Sequence, residues 1–419
     1  MAPTLDNMEH DTRPPPPSSP AKQGFALLQN THRDMIQATA FNSYGDRFAS
    51  SSVDGKIKVY NRYQDGTWNL CDTWGAHNGE ILELQWLPPT IHPNLLASIS
   101  ADGRFKLWAE DPTVAPLKGR RFPTPVWELR ATSRGTFCSF SITHNPSTRH
   151  TYLALIERSA TIMVYENDEP ENMANWTEFD KFLAMKQSDI PSRGDEASFK
   201  VQFDPNLEPC YNAIRQGIPK DALSMIVASM NSASIWRTRE VVHSVSLGSN
   251  MSKEFCCMAD LRGHRGLVRD IAWAPGNVRG FDIVATACKD GLIRIYEIST
   301  PGSQPSTQSR DYTSSAVAQP IPFQKPVESG KPSGIGAGLA GAREGSGSAG
   351  AGHVKHVVKE VSKLDAHRAP VWRVDFDDDG QLLGSTGDDG RVLLWRREPS
   401  GSWSKSSELA MNRSALPIL

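Results

Sequence analysis

The sequence predicts an all-β fold, a propeller of six blades with about four short strands each, and three observations carry that prediction. In four places an Asp-Gly dipeptide is followed, six residues after the Asp, by Trp or Tyr. A His stands 28 to 32 residues ahead of each of those aromatics. Runs with the alternating apolar period of strands fill the intervals. Units that recur at this length bury their apolar faces only by stacking on their neighbours.

Blade one opens at His32, continues through a strand at Ile36 to Phe41, and turns at Asp54-Gly55 before Tyr60. Blade two repeats the order with His77, Ile81 to Trp86, Asp102-Gly103 and Trp108. Two degenerate copies follow, Phe137 to Ser141 with Tyr152 to Tyr165, and Phe199 to Phe203 with Leu223 to Trp236. Both lack the His and the Asp-Gly turn but keep the strand pattern and the closing aromatic. Blade five has His264, Val268 to Trp273, Asp290-Gly291 and Tyr296, and blade six has His367, Val371 to Phe376, Asp389-Gly390 and Trp395. The Gly after each Asp supplies the positive φ of a tight hairpin, and the alternation beyond it (Ile57 and Val59, Phe105 and Leu107) is strand-like. Ser402 to Leu409, with Trp403, completes blade six as its own fourth strand.

That count leaves Phe25-Ala26-Leu27-Leu28 ahead of blade one with no place in blade six. We expect it to form the outer strand of a seventh position whose other strands come from a partner, because an unpaired sheet edge is a template for strand addition. The expected partner-binding residues are Phe25, Leu27, Leu28, Ile36, Phe41, Val371 and Phe376. A competing arrangement has Phe25 to Leu28 replace Ser402 to Leu409 and close a six-bladed ring unaided.

Composition divides the chain further. Residues 1–23 are rich in Pro and polar residues, and residues 299–352 in Ser, Pro, Gly and Ala, with nine glycines from Gly330 to Gly352. Such segments cannot bury enough apolar surface to offset chain entropy, so both are expected to be disordered, the second leaving the propeller between blades five and six, with residues 412–419 a flexible end. The propeller domain is expected over residues 24–411.

Forty-five basic against 47 acidic residues give a net charge of -2, which argues against a surface that holds nucleic acid by neutralising phosphate. No apolar run is long enough to span a membrane, and the Pro-rich start does not read as a secretory signal. The six cysteines, at irregular spacings without CxxC, read as free thiols of a reducing compartment. No cofactor, metal or catalytic constellation is expected. The two GxGxxG matches, at Gly336 and Gly345, lie in the Gly/Ser/Ala tract without the strand and helix that phosphate binding needs. Asp377-Asp378-Asp379-Gly380 reads as a turn, Lys118-Gly119-Arg120-Arg121 as an exposed loop, and His144 as a loop residue; G-x-S-x-G is absent. Trp176 and Trp403 are either partner anchors or blade packing.

A His, then Asp, then Trp or Tyr at this spacing resembles the WD-repeat family. By that resemblance His32, His77, His264 and His367 would hydrogen-bond Asp54, Asp102, Asp290 and Asp389 as structural groups, near the closing aromatics Tyr60, Trp108, Tyr296 and Trp395. Within the family, His32-Arg-Asp-Met-Ile36, Asp65-Gly-Thr-Trp68, Asn172-Met-Ala-Asn-Trp176, Arg269-Asp-Ile-Ala-Trp-Ala-Pro275, Val371-Trp-Arg-Val374 and Gly387-Asp-Asp-Gly-Arg391 resemble the SEH-type nucleoporins, siblings of the WD-repeat protein of the COPII outer coat. The resemblance covers roughly Thr31 to Trp403, is weak across blades three and four, and departs at the residue 299–352 insertion and the Pro-rich tail.

The resemblance implies a scaffold subunit of the Y-shaped coat of the nuclear pore complex, at the nuclear envelope. Its partners would be an α-solenoid nucleoporin that donates a blade in trans, and other coat nucleoporins. It also implies a second, peripheral role in a vacuolar or lysosomal membrane complex that regulates amino-acid and TOR signalling. The alternatives are a vesicle-coat component of COPII type and a WD-repeat substrate adaptor. Two irregular blades and an extra N-terminal strand fit the scaffold better than the adaptor.

Overall fold

The computed structural model describes Leu28, residues 31–88, 91–132, 135–245, 248–276 and 280–300, Val354, and residues 356–410. The segments 1–23 and 412–419 lie outside these, as does all of 299–352 except Ser299 and Thr300. Phe25 and Leu27 also fall outside them, and Leu28 is half-buried and not in a strand.

The described chain forms six antiparallel four-stranded sheets, an all-β propeller as the repeats predict. Blade one comprises β1 (Ile36–Phe41), β2 (Arg47–Ser52), β3 (Lys56–Arg62) and β4 (Trp68–Gly75). Blade two comprises β5 (Ile81–Trp86), β6 (Leu95–Ser100), β7 (Arg104–Ala109) and β8 (Pro125–Arg130). The irregular blades are also complete: β9 (Phe137–Asn145), β10 (His150–Glu157), β11 (Thr161–Asn167) and β12 (Thr177–Leu183), then β13 (Phe199–Phe203), β14 (Ser224–Ser229), β15 (Ser232–Val245) and β16 (Gly248–Leu261). Blade four also carries the one-turn helix α1 (Tyr211–Arg215), which the strand pattern did not signal. Blade five comprises β17 (Val268–Trp273), β18 (Asp282–Cys288), β19 (Ile293–Ser299) and β20 (Val357–Leu364), so the insertion separates its third and fourth strands rather than blades five and six. Blade six comprises β21 (Val371–Phe376), β22 (Leu382–Gly387), β23 (Arg391–Arg397) and β24 (Trp403–Ala410).

A four-stranded sheet with two apolar faces is stable only when both are covered, and the core is divided accordingly among the blade junctions. Ile57, Val59 and Trp74 of blade one meet Ile81, Trp86 and Trp108 of blade two. Phe105 and Leu107 meet Phe137, Phe140 and Leu155 of blade three. Phe182 packs with Phe199, Trp236 and Phe255 of blade four, and Ile226 and Ile235 with Val268, Trp273 and Tyr296 of blade five. Ile283 and Ile295 meet Val371, Leu393, Trp395 and Trp403 of blade six. Among the described residues no such cluster joins blade six to blade one.

Hairpin turns follow the expected chemistry. Gly55, Gly103, Gly291 and Gly390 have φ of 72°, 77°, 83° and 69°, the left-handed region where a Cβ is costly. In the irregular blades Ala160 (φ 59°) and Met230 (φ 57°) occupy the corresponding turns, which is why no Asp-Gly marks them. A Cβ at Gly55 would stand 2.4 Å from the main-chain oxygen of His77, whereas one at Gly103 would meet nothing nearer than Ala131 Cβ at 3.9 Å. Gly103→Ala should therefore cost only the backbone strain, roughly 1–2 kcal/mol. Gly55→Ala should cost clearly more because a backbone carbonyl must also move. Urea denaturation of the two variants tests that order; equal losses would contradict it.

Candidate functional site

The four predicted histidines each stand just ahead of the first strand of their blade, but they do not form four identical staples. His77 Nδ1 lies 3.2 Å from Asp102 Oδ2, its Nε2 is 2.8 Å from Ser98 Oγ, and Trp108 Nε1 donates to the same hydroxyl at 3.0 Å. His367 repeats this with Asp389 at 3.0 Å, Ser385 at 2.8 Å and Trp395 Nε1 at 2.9 Å. The two blades that close with Tyr differ. His32 Nδ1 is 3.6 Å from Asp54, beyond a hydrogen bond, although its Nε2 meets Ser50 Oγ at 2.9 Å. The expected bond between His264 and Asp290 is absent: Arg294, at 2.8 Å, takes the Asp290 carboxylate, and His264 instead meets Thr286 Oγ1 at 2.9 Å. Tyr296 has no indole N–H, and its hydroxyl donates to Arg262 O at 2.8 Å.

Blade three has a staple that no His and Asp-Gly pair marks in the sequence. Glu157 accepts the Thr132 N–H and hydroxyl, both at 2.8 Å, tying the blade entry to the β10–β11 turn as Asp102 does when it accepts Asn78 N–H at 3.1 Å. A Glu directly before a tight turn was the available signal. His144 is not in a loop: it is buried within β9, with Nδ1 2.9 Å from Thr151 Oγ1. Trp176 stacks on Trp127 with ring centroids 5.3 Å apart, and Trp403 is in the core between blades five and six. Asp377 uses its carboxylate to accept the N–H groups of Gln381 and Leu382 in its own turn. No cluster of His, Cys, Asp and Glu able to hold a metal exists among the described residues.

The first strand of every blade faces the central channel, a cavity of about 670 Å³ lined by β1, β5, β9, β13, β17 and β21. Each such strand has an inner edge whose N–H groups need acceptors. For β9, β13, β17 and β21, side chains of the preceding blade supply them. Glu83 and Gln85 of β5 accept the N–H groups of Phe140 and Ile142 at 3.0 and 2.9 Å. Ser139 and Ser141 of β9 accept those of Val201 and Phe203 at 3.3 and 3.0 Å. Gln202 of β13 accepts from Trp273 at 3.0 Å, and Asp270 of β17 from Val374 at 3.1 Å. The Lys200 ammonium, pushed down to about 7 by burial and then by the nearby Arg373, pairs with Glu83.

Blades six and one keep uncovered faces at their junction. On blade six, Leu383, Leu393 and Trp395 point to blade five, so the alternate residues Leu382, Val392 and Leu394 point the other way and are half-buried. Leu409, paired with Val392, is 58% exposed. The corresponding residues of blade two, Phe105 and Leu107, are fully buried by blade three. On blade one, Phe41, Phe48 and Tyr60 form a cross-strand row on the face away from blade two, with Phe41 and Phe48 ring centroids 4.8 Å apart and Trp68 5.7 Å from Phe41. Phe41 is 60% exposed and Ile36 44%. Of the other two residues expected to bind a partner, Phe376 is half-buried, and Val371 is fully buried against blade five and cannot make contact; Trp372, at 43%, is the exposed apolar residue of that strand.

The family model for the WD domain, G-beta repeat matches residues 26–61, 255–297 and 358–396, in blades one, five and six. The chain is 38% identical to nucleoporin SEH1 of Chaetomium thermophilum over 92% of its own length and 94% of that protein. It is 26% identical to nucleoporin seh1 of Schizosaccharomyces pombe over 88% of this chain and 91% of that one. With human nucleoporin SEH1 the identity is 24%, over 91% and 87%.

Burial pushes His77 down to about 4, and burial together with Arg294 does the same to His264. Both are neutral in the folded protein near neutral pH, while the unfolded chain takes up protons near pH 6.5. Their contribution to stability is therefore complete above about pH 6.5 and lost as pH falls toward about 4. Melting temperature should decline across that window, and less steeply in His264→Gln; a profile unchanged by that substitution would contradict the assignment.

Proposed function

Because the chain belongs to the SEH1 family of WD-repeat nucleoporins, we propose that it is a structural scaffold subunit of the Y-shaped coat of the nuclear pore complex. It grips an α-solenoid nucleoporin that inserts a β-blade between blades six and one. The observation that supports this reading is the contrast among junctions: five are filled by apolar clusters, while Phe41, Phe48 and Trp68 on one side and Leu382, Leu394 and Leu409 on the other are left without a cover from the described chain.

A donated blade would gain main-chain hydrogen bonds only within itself or at the channel. Its binding energy therefore comes from burial of these two faces, at roughly 25 cal/mol per Å² of apolar area. The function is one of binding, not turnover, and it places the protein at the nuclear envelope among the other coat nucleoporins. In the second role implied by the family resemblance, at a vacuolar or lysosomal TOR-regulating complex, the same pair of faces takes a blade of the same kind, so the two assemblies compete for one copy.

Phe41→Asp and Leu394→Asp should each weaken binding of the solenoid nucleoporin by about 30-fold or more, as truncation of interface anchors does. Leu207→Asp, an exposed site in blade four, should leave it unchanged. Titration calorimetry with the recombinant partner reads this. Equal loss at Leu207, or none at Phe41 and Leu394, would contradict the proposal.

A further inference from the structure

The side chains that cap the inner strands around the channel follow one register. When the inner strands are aligned on the bulge after their first residue (β13, which has none, on the capping bond of Gln202), Glu83, Ser139, Lys200, Asp270 and Arg373 hold one position, and Gln85, Ser141, Gln202, Ala272 and Asp375 hold the position two residues on. At that second position Gln85, Ser141 and Gln202 each accept one main-chain N–H from the inner strand of the next blade, at 2.9, 3.0 and 3.0 Å. Asp375 is the remaining acceptor in the series. One of its oxygens accepts the N–H of Phe376 at 3.0 Å, and the other accepts no hydrogen bond from any described residue, those of β1 included.

Elsewhere in the same chain that half-used arrangement is complete. Asp72 accepts Thr73 N–H at 2.7 Å through one oxygen, and through the other the N–H groups of Arg121 and Phe122 in the next blade, at 2.8 and 3.2 Å. Asp180 accepts Lys181 N–H at 2.8 Å and, across the blade junction, Phe255 N–H at 2.7 Å. In both, an Asp that holds its own following amide uses its second oxygen to dock the neighbouring blade.

We infer that Asp375 is the docking acceptor for the inserted blade, its second oxygen taking a main-chain N–H from the innermost strand that the partner places beside β21. The inference rests on the reading of an inserted blade and adds the residue that sets the register of its inner strand. A carboxylate here differs from the amides and hydroxyl at the same position in other blades, because its acceptor strength depends on its charge. The channel wall screens the carboxylate from water, although the residue as a whole is exposed, and with Asp270 and Asp378 nearby it raises the Asp375 pKa to about 6, against the opposing Phe376 N–H and Arg373. Glu83 of β5 and Lys200 of β13 line the same cavity, while β1 and β22 present only uncharged residues. An N–H bond from the partner favours the ionised form, so the complex has a lower pKa at this group than the isolated chain, and binding weakens as pH falls through about 6.

The test is calorimetric titration of the full chain with the recombinant solenoid nucleoporin from the same source. Asp375→Ala should weaken binding about tenfold or more, with the melting temperature of the isolated chain little changed. Asp375→Gln, which installs the residue that does this work in β5 and β13, should restore most of the affinity and abolish its fall below about pH 6. If the wild-type chain does not bind, the inserted blade fails, and Asp375 with it. If it binds and Asp375→Ala binds equally well, the inserted blade stands and this assignment is overturned. A drop in melting temperature in Asp375→Ala at unchanged affinity would mean that a strand of the chain itself or of a second copy holds the position, which also overturns it.

Discussion

Every other feature of this molecule depends on the inability of a four-stranded blade to bury both of its apolar faces alone. Two sheets packed face to face leave each outer face wet, so stacking must continue until the ends are covered by something. Five junctions meet that need with contiguous clusters of aromatic and branched side chains. The residues that end the series on blade one and blade six are of the same kind as those in the filled junctions: Phe48 and Tyr60 face outward as Leu96 and Trp108 do toward blade one, and Leu394 as Leu107 does toward blade three. Exposed apolar patches of this sort on otherwise polar proteins mark interaction surfaces.

The channel follows the same logic in polar chemistry. An inner strand has a free edge, so side chains of the preceding blade cap its amides. The capping runs in one direction around the ring, from β5 through β9, β13 and β17 to β21. β21 ends the series with an acceptor to offer, while β1 carries Ala38 and Ala40 at the two capping positions and offers none to β5. The β1–β5 junction is instead joined by Trp86 Nε1 donating to Ala40 O at 3.2 Å and by burial of Trp74 and Trp86.

Much of the fold was legible in the sequence because its signals are local. An Asp-Gly turn, a strand of period two and a closing aromatic lie within a dozen residues, so blades one, two, five and six could be read from them. Blades three and four were legible only in outline, since Ala160 and Met230 hold the turn conformation without Gly, and Glu157 with Thr132 replaces the His and Asp. The insertion lies one strand earlier than expected because β20 (Val357–Leu364) is largely polar on its exposed face and reads weakly as a strand. The staple expected at His264 failed through a residue four positions from Asp290: Arg294 has both the charge and the reach to take the carboxylate. The capping series was not legible, and of the two uncovered faces only Ile36 and Phe41 were anticipated, because both features depend on registers between blades 57 or more residues apart, as with Glu83 and Phe140. Val371 was expected at the partner surface and is buried for the same reason: a strand's two faces alternate, and only the three-dimensional order says which one meets blade five.

In the proposed assembly the stack of blades is covered at its ends by a partner and nowhere else. Hydrogen–deuterium exchange on the full chain, alone and with the recombinant solenoid nucleoporin, tests this most directly, since amides respond to the strand that covers them. The partner should slow exchange in β1 to β3 and β21 to β24 and leave the strands of blades two to five as they are. Protection concentrated on blades three and four, or no protection beside Phe41 and Leu394 on binding, would contradict it.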